Sequence, residues 1–101
     1  MKVINTPDAP KAIGPYSQAV IANGLLFTSG QIAINPKTNQ IEATAIEEQT
    51  KQVMENLKAL LAASNASFDK VVKTTIFLKD MNSFGTVNEI YGSYFANHKP
   101  A

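Results

Sequence analysis

The dipeptide Asn23-Gly24 stands between two apolar runs and constrains the fold more than any other feature of the chain. Asparagine and glycine tolerate positive φ angles at little cost, which a two-residue turn between antiparallel strands requires. The flanking residues therefore predict a hairpin in which residues 17–22 pair with residues 25–34. Residues 35–39, which include Pro36, then form a turn.

Two polar segments lie beside these predicted strands, Gly14-Pro15-Tyr16-Ser17-Gln18 and Phe27-Thr28-Ser29-Gly30-Gln31. Each combines a hydroxyl, a glycine and an amide in backbone that must turn or be closely approached. A chain that only had to fold would not need both segments. Because the two strands are neighbours, their polar ends predict one shared pocket.

A long amphipathic helix follows the hairpin. Thr44-Ala45-Ile46-Glu47 has the form of a capping box, which predicts a helix from there to about Ser64, with Asn65 as a left-handed stop. The apolar residues at helical spacing are Ile46, Val53, Met54, Leu57, Leu60 and Leu61.

The remaining chain predicts one more strand and one more helix. Residues 71–78 are rich in β-branched side chains, which favours a strand joined to the hairpin by a βαβ-type crossover. Asp80 or Asn82 then caps a second helix, whose apolar face includes Phe84 and Tyr91. The predicted fold class is α/β (α+β), in the order β-β-β-α-β-α, with two helices on one face of a mixed sheet. Pro100-Ala101 is expected to introduce a further strand that this chain lacks.

Composition bounds the function. The 101 residues predict a single domain with a modest core, and the formal net charge of +1 includes nine lysines and no arginine. Neither nucleic acid nor a membrane is therefore an expected partner. With no cysteine and a single histidine, His98, we expect no metal and no cofactor. The polar N-terminus is unlike a signal peptide, so a cytoplasmic protein is expected.

The chain resembles the RidA family, also known as the YjgF family, along its whole length. That resemblance implies a chorismate-mutase-like α/β sandwich that forms a homotrimer with clefts between subunits. It also implies hydrolysis of reactive enamines and imines, such as 2-iminobutanoate and 2-iminopropanoate, to 2-oxo acids and ammonia. The matching motifs are Gly14–Gln18, Thr28–Gln31, Glu48–Thr50, Glu55–Lys58, Val72–Asp80 and Val87–Tyr91.

The resemblance also implies the site. Tyr16 would face the reacting centre as the catalytic residue, Asn88 would orient the substrate, and Phe84 would form an apolar wall. The segment Ser29, Gly30 and Gln31 would contact the substrate or its water. The family's carboxylate-binding arginine and a glutamate that positions water would follow Ala101, and neither is present here.

Several interpretations stay open at this point. Tyr16 taken alone is better explained by packing, whereas beside Gly14-Pro15 and the Ser29 loop a functional role is favoured. Ser29-Gly30 fits a β-bulge, which is compatible with lining a pocket, and Asn88 is as well explained by a structural hydrogen bond. A non-catalytic module that binds small carboxylates is the alternative to a deaminase. A ribonuclease or translation inhibitor is third, because the chain has no histidine pair, no arginine and no basic groove.

Overall fold

The computed structural model describes all residues from Met1 to Ala101. It has two antiparallel sheets and two α-helices, with two short 3₁₀ turns at Phe68–Lys70 and Met81–Ser83. The first sheet has the order β1-β2-β3, and the second is the small β4-β5 pair. The bounds are β1 Lys2–Ile4, β2 Ala19–Ala22, β3 Leu25–Thr28, β4 Ile34–Asn35, β5 Gln40–Ile41, α1 Ile46–Ala63 and α2 Phe84–Ser93. The mixed α+β class with two helices is therefore as predicted.

The hairpin at Asn23-Gly24 is confirmed. Asn23 has φ 51° and Gly24 has φ 77°, the left-handed pair that a tight turn between twisted strands needs. The strands are shorter than predicted, because β3 ends at Thr28 instead of residue 34. One more backbone bond, from the Ser29 N–H to the Gln18 carbonyl (2.9 Å), closes the ladder beyond that end.

The register of the first sheet separates a buried face from an exposed one. Ile4 pairs with Ala19, and both are buried, so this row faces the core. The next row pairs Val3 with Val20 and Val20 with Phe27, and successive rows point to opposite faces. The opposite face is therefore apolar as well, yet it is uncovered: Phe27 is 55% exposed.

Helix α1 begins one residue later than the capping box requires, so the predicted Thr44 cap is wrong. The N-cap is Ala45, which has extended backbone (φ −78°, ψ 145°) and no side chain that could bond an amide. The predicted stop is confirmed, since Asn65 has φ 56°. The Asn65 N–H bonds the Ala62 carbonyl and the Ala66 N–H bonds the Leu61 carbonyl, which is the Schellman pattern.

The strand predicted over residues 71–78 is not formed. A strand is defined by backbone hydrogen bonds to neighbouring strands. Residues 71–78 make two such bonds, both with Ala101: the Thr74 N–H donates to the Ala101 carbonyl (2.8 Å), and the Ala101 N–H donates to the Val72 carbonyl (3.0 Å). These two bonds follow a parallel pattern, whereas both assigned sheets are antiparallel. Asp80 does act as a cap, but of the 3₁₀ turn that leads into α2. The observed order is thus five short strands followed by two helices.

The core lies between the buried sheet face and the helices, and it is small. Helices α1 and α2 pack on each other, with Leu60 and Val87 buried. An aromatic group closes one end, where the Phe68 ring meets the Phe95 ring edge-on at 5.3 Å between centroids. Only 12 of the 101 residues are buried, which agrees with the modest core predicted from length.

Candidate functional site

Tyr16 projects from a tight loop that precedes β2. The Tyr16 N–H bonds the Gly14 carbonyl (2.8 Å), which folds the backbone back over a single residue. A Cβ at Gly14 would lie 3.4 Å from the Tyr16 ring, so the ring rests over this glycine. The ring is 51% exposed and the hydroxyl makes no hydrogen bond within the chain. Tyr16 is therefore not the buried, satisfied tyrosine that packing alone would explain.

Ser29 joins the two polar segments, as the shared-pocket prediction requires. Its hydroxyl donates to the Ser17 carbonyl at 2.6 Å, and its N–H donates to the Gln18 carbonyl at 2.9 Å. These bonds hold the loop that carries Tyr16 against the loop that follows β3. Tyr16 and Ser29 thus belong to one local unit.

Gly30 and Gln31 continue from Ser29 into open space. They follow the end of β3, so they lie in a loop and not in a β-bulge of that strand. No atom lies within 4 Å of the position a Cβ would take at Gly30. The Gln31 carboxamide donates to the Ser29 carbonyl (3.2 Å), which leaves its oxygen without a partner. The backbone of this loop is therefore accessible to a ligand.

Phe84 and Asn88 form a separate pair on α2, one helical turn apart. Both are exposed, and the Asn88 carboxamide makes no hydrogen bond within the chain. No hydrogen bond connects this pair to the loop of Tyr16 and Ser29. Hydrogen bonds and adjacency in the chain therefore connect four of the six predicted residues, and none of the six is charged.

Two buried carboxamides, missed as functional candidates in the sequence, support these loops. Gln18 accepts from the Thr6 N–H (2.7 Å) and donates to the carbonyls of Thr6, Ala9 and Pro10 (3.0, 3.3 and 2.8 Å). Asn56 donates from α1 to the carbonyls of Ile32 and Ile34. A signal for Asn56 was available, because it shares the apolar helix face with Leu60 at a spacing of four residues.

Two open surface grooves lie between the β4–β5 turn and α1, and none of the six candidate residues lines either of them. The six candidate residues are thus partly or fully exposed at the surface of the chain.

Comparison with known proteins assigns the family. The family model described as Endoribonuclease L-PSP matches residues 6–101. The chain belongs to this family, which is the RidA (YjgF) family that the sequence motifs indicated.

Individual relatives agree with this assignment. The 2-iminobutanoate/2-iminopropanoate deaminase of Mus musculus is 49% identical over 99% of this chain and 74% of its own length. The crystal structure of the Rid-family protein YyfA from Yersinia pestis superposes with a TM-score of 0.97 at 50% identity, covering 99% of this chain and 80% of that one. E. coli TdcF, solved with bound serine, gives a TM-score of 0.91 at 38% identity, covering 99% and 81%.

No helix of the structure is long and apolar enough to cross a membrane. The cytoplasmic location expected from the sequence stays a prediction.

Proposed function

We propose that this protein is a deaminase that hydrolyses reactive enamines and imines, among them 2-iminobutanoate and 2-iminopropanoate, to 2-oxo acids and ammonia. The observation that carries the proposal is the identity of 49% with the mouse deaminase over 99% of this chain. The accessible loop around Ser29 agrees with it, because the substrates are small and polar.

The reaction needs positioning more than a strong nucleophile. Water adds to the sp² carbon of the imine, and the carbon–nitrogen bond then breaks as the protonated nitrogen leaves as ammonia. Held groups that orient the substrate and relay a proton lower this barrier. In the proposed site the Tyr16 hydroxyl is the catalytic hydrogen-bond partner, and it is free to act because no group of the chain engages it.

The other candidates would bind the substrate. The Gly30 N–H makes no hydrogen bond within the chain, and the residue is exposed, so this N–H can donate to a substrate oxygen. Ser29 and Gln31 flank it, Asn88 offers an unpartnered carboxamide, and the half-exposed Phe84 ring offers an apolar wall. These assignments are proposals that rest on the positions the side chains occupy.

We further propose that the protein works as a homotrimer with sites between subunits. Within one chain no hydrogen bond links the Tyr16 loop to the Phe84–Asn88 pair, and in the proposed trimer a second copy supplies the complementary groups. The accessible surface is 7024 Å², whereas the scaling for a compact monomer of this mass gives about 5,600 Å². The excess includes the uncovered apolar face of Val3, Leu25 and Phe27, which is the kind of patch that another subunit covers.

The activity test uses a serine or threonine dehydratase to release the imine, with formation of the 2-oxo acid as the readout. We expect this protein to accelerate release above the spontaneous rate. Tyr16→Phe should lose about ten- to a hundredfold of that activity, the worth of one hydrogen bond made in the transition state. Tyr94→Phe is the matched control, because Tyr94 bonds Glu55 far along the chain and lies outside the proposed site. No acceleration by the wild-type protein would refute the proposed function.

The assembly test is sedimentation velocity. We expect a trimer for the wild type and smaller, less active species for Phe27→Lys, since a buried unpaired charge is costly. Ile41→Lys changes an equally exposed residue of the other sheet and should leave the trimer intact. A wild-type monomer that is fully active would contradict the proposed intersubunit site.

A second candidate is a module that binds small carboxylates without turnover. The bound serine in E. coli TdcF is the observation that favours it. Calorimetry with serine and with 2-oxobutanoate separates the two functions, because a binding module shows saturable heat without any acceleration of imine hydrolysis.

RNA cleavage, which the description of the family model names, has less support. All nine cationic side chains are lysine, and the net charge is only +1. Phosphate binding draws on clustered cations, so we expect no tight, salt-sensitive binding to single-stranded RNA in a titration.

A further inference from the structure

Asn56 lies at the centre of α1 and is 1% exposed. Its Nδ2 donates to the Ile34 carbonyl at 2.9 Å and to the Ile32 carbonyl at 3.2 Å, while its Oδ1 accepts from Gln52 at 2.9 Å. Every polar atom of this carboxamide is therefore used. Asparagine is a poor helix former, so helix stability alone does not account for its place here.

The Ile32 carbonyl belongs to the loop that carries Ser29, Gly30 and Gln31, and the Ile34 carbonyl belongs to the first residue of β4, where that loop ends. At its start this loop is fixed by the two bonds of Ser29 to the Ser17 and Gln18 carbonyls. At its end the Ile34 N–H donates to the Ile32 carbonyl (2.8 Å), and the Asn56 side chain on α1 donates to the same carbonyl. Between these anchors Gly30 is exposed, and a Cβ added there would meet no other part of the chain within 4 Å.

We propose that Asn56 is a positioning residue for the deaminase reaction, because it sets the conformation of the loop from Ser29 to Ile34 from the helix beneath it. The inference rests on the proposed function, since only a reaction at Ser29–Gln31 makes that conformation matter for turnover. Asn56 touches neither the substrate nor the reacting atoms; it acts through the Ile32 and Ile34 carbonyls.

The first test replaces Asn56 by leucine, which keeps the volume and removes the donor. We expect Asn56→Leu to lower kcat/KM by about ten- to a hundredfold, the usual effect of a displacement of about 1 Å at a site. Leu60→Ala is the matched control: Leu60 is fully buried on the same helix, so its truncation destabilises the fold without removing a hydrogen bond to the loop. Both variants are assayed under conditions in which circular dichroism shows each to be fully folded. We expect the kcat/KM of Leu60→Ala to stay within about twofold of the wild-type value.

A second test keeps Asn56 but is designed to exchange the positions of its side-chain oxygen and nitrogen. Gln52 is partly exposed and presents an N–H to the Asn56 oxygen. Gln52→Glu places a carboxylate there instead, which attracts Nδ2 and turns Oδ1 toward the two carbonyls. We expect this variant to fold and to show the same kind of loss as Asn56→Leu. Gln52→Met removes the donor without a charge and should have a much smaller effect.

Amide hydrogen exchange gives a readout that does not depend on turnover. Faster exchange confined to residues 29–35 in Asn56→Leu and in Gln52→Glu, together with the loss of kcat/KM, supports the positioning role. An active wild type whose Asn56→Leu variant behaves like Leu60→Ala overturns that role and leaves the proposed function standing. An inactive wild type refutes the proposed function itself and the catalytic role of Asn56 with it.

Discussion

Gln18 offers the sharpest test of how the loops around the site are held. Its side chain is 4% exposed and sits among four backbone groups: the N–H of Thr6 and the carbonyls of Thr6, Ala9 and Pro10. Gln18→Leu removes the hydrogen bonds to all four groups at once and introduces an apolar side chain of similar size. Gln18 directly precedes β2, and no other side chain from outside the segment Thr6 to Pro10 makes a hydrogen bond to its backbone.

The magnitude follows from how far each abandoned group can reach water. The Nε2 group has two hydrogens for its three carbonyl partners, so with the bond accepted from Thr6 the side chain makes three full bonds in total. Losing the buried one, to the Ala9 carbonyl, costs about 1–3 kcal/mol, and the other two, which are partly buried, cost about 0.5–1.5 kcal/mol each. The apolar replacement recovers a part of this sum through burial. We therefore expect Gln18→Leu to lower the free energy of unfolding by about 3–5 kcal/mol.

A glutamate at the same position adds a dependence on pH. Its carboxylate would face three carbonyl oxygens, which favours the protonated form and raises its folded-state pKa above the ordinary value of about 4.3. A raised pKa gives stability that is complete below the unfolded-state value and is lost as the pH rises through the folded-state value. The loss of unfolding free energy in Gln18→Glu, relative to the wild type, should therefore be smaller at about pH 4 than at about pH 7. The corresponding loss in Gln18→Leu should not change with pH.

The assay is urea unfolding followed by far-ultraviolet circular dichroism at one fixed protein concentration, because self-association would link stability to concentration. Gln40→Glu is the control, since Gln40 is exposed and makes no side-chain hydrogen bond; its change should stay within about 0.5 kcal/mol. A Gln18→Leu variant within about 1 kcal/mol of the wild type would refute the reasoning, as would a Gln18→Glu deficit that is independent of pH.

Three further predictions concern the turn, the end of α1 and one tyrosine. Gly24→Ala should cost about 1–2 kcal/mol of unfolding free energy in urea, because φ 77° is strained for any residue with a Cβ. Asn65→Ala should cost about 1 kcal/mol in the same assay, and Asn65→Gly should cost nothing, because only the alanine resists φ 56°. Burial, with the hydrogen bond to Glu55 and its charge, raises the pKa of Tyr94 to about 12. A phenolate absorbance titration should therefore show a component near that pH which Glu55→Gln shifts downward, and the stability linked to Tyr94 should be lost between about pH 10 and pH 12.

The parts of the fold that were predictable are those whose signal is local. Asn23-Gly24 and Asn65 were recognised because a positive φ selects these residues wherever they occur. Helix α1 was predicted because apolar residues at helical spacing form one continuous face, ready to pack on the core, only when the segment is helical. The predicted start of that helix was wrong by one residue. The sequence favours Thr44 as the N-cap, but the backbone becomes helical only after Ala45.

The parts that failed depend on partners distant in the chain. Residues 71–78 have the composition of a strand, but a strand is a relation between segments, and this one is paired only through Ala101. The roles of Gln18 and Asn56 are equally non-local, since each bonds carbonyls that lie between 8 and 24 residues away. No periodicity in the sequence marks those carbonyls as the acceptors.

The hydrogen bonds also limit what Ser29 can offer a substrate. Its single hydroxyl proton is committed to the Ser17 carbonyl at 2.6 Å, and a carbonyl can only accept. Toward a ligand the Ser29 oxygen therefore presents lone pairs, which suit a water molecule or the N–H of a protonated imine and repel a carboxylate. In the proposed reaction the carboxylate must then find its donors elsewhere, and the free Gly30 N–H is the donor nearest along the chain. For the proposed reaction we therefore expect Ser29 on the side of the departing nitrogen and Gly30 on the side of the carboxylate.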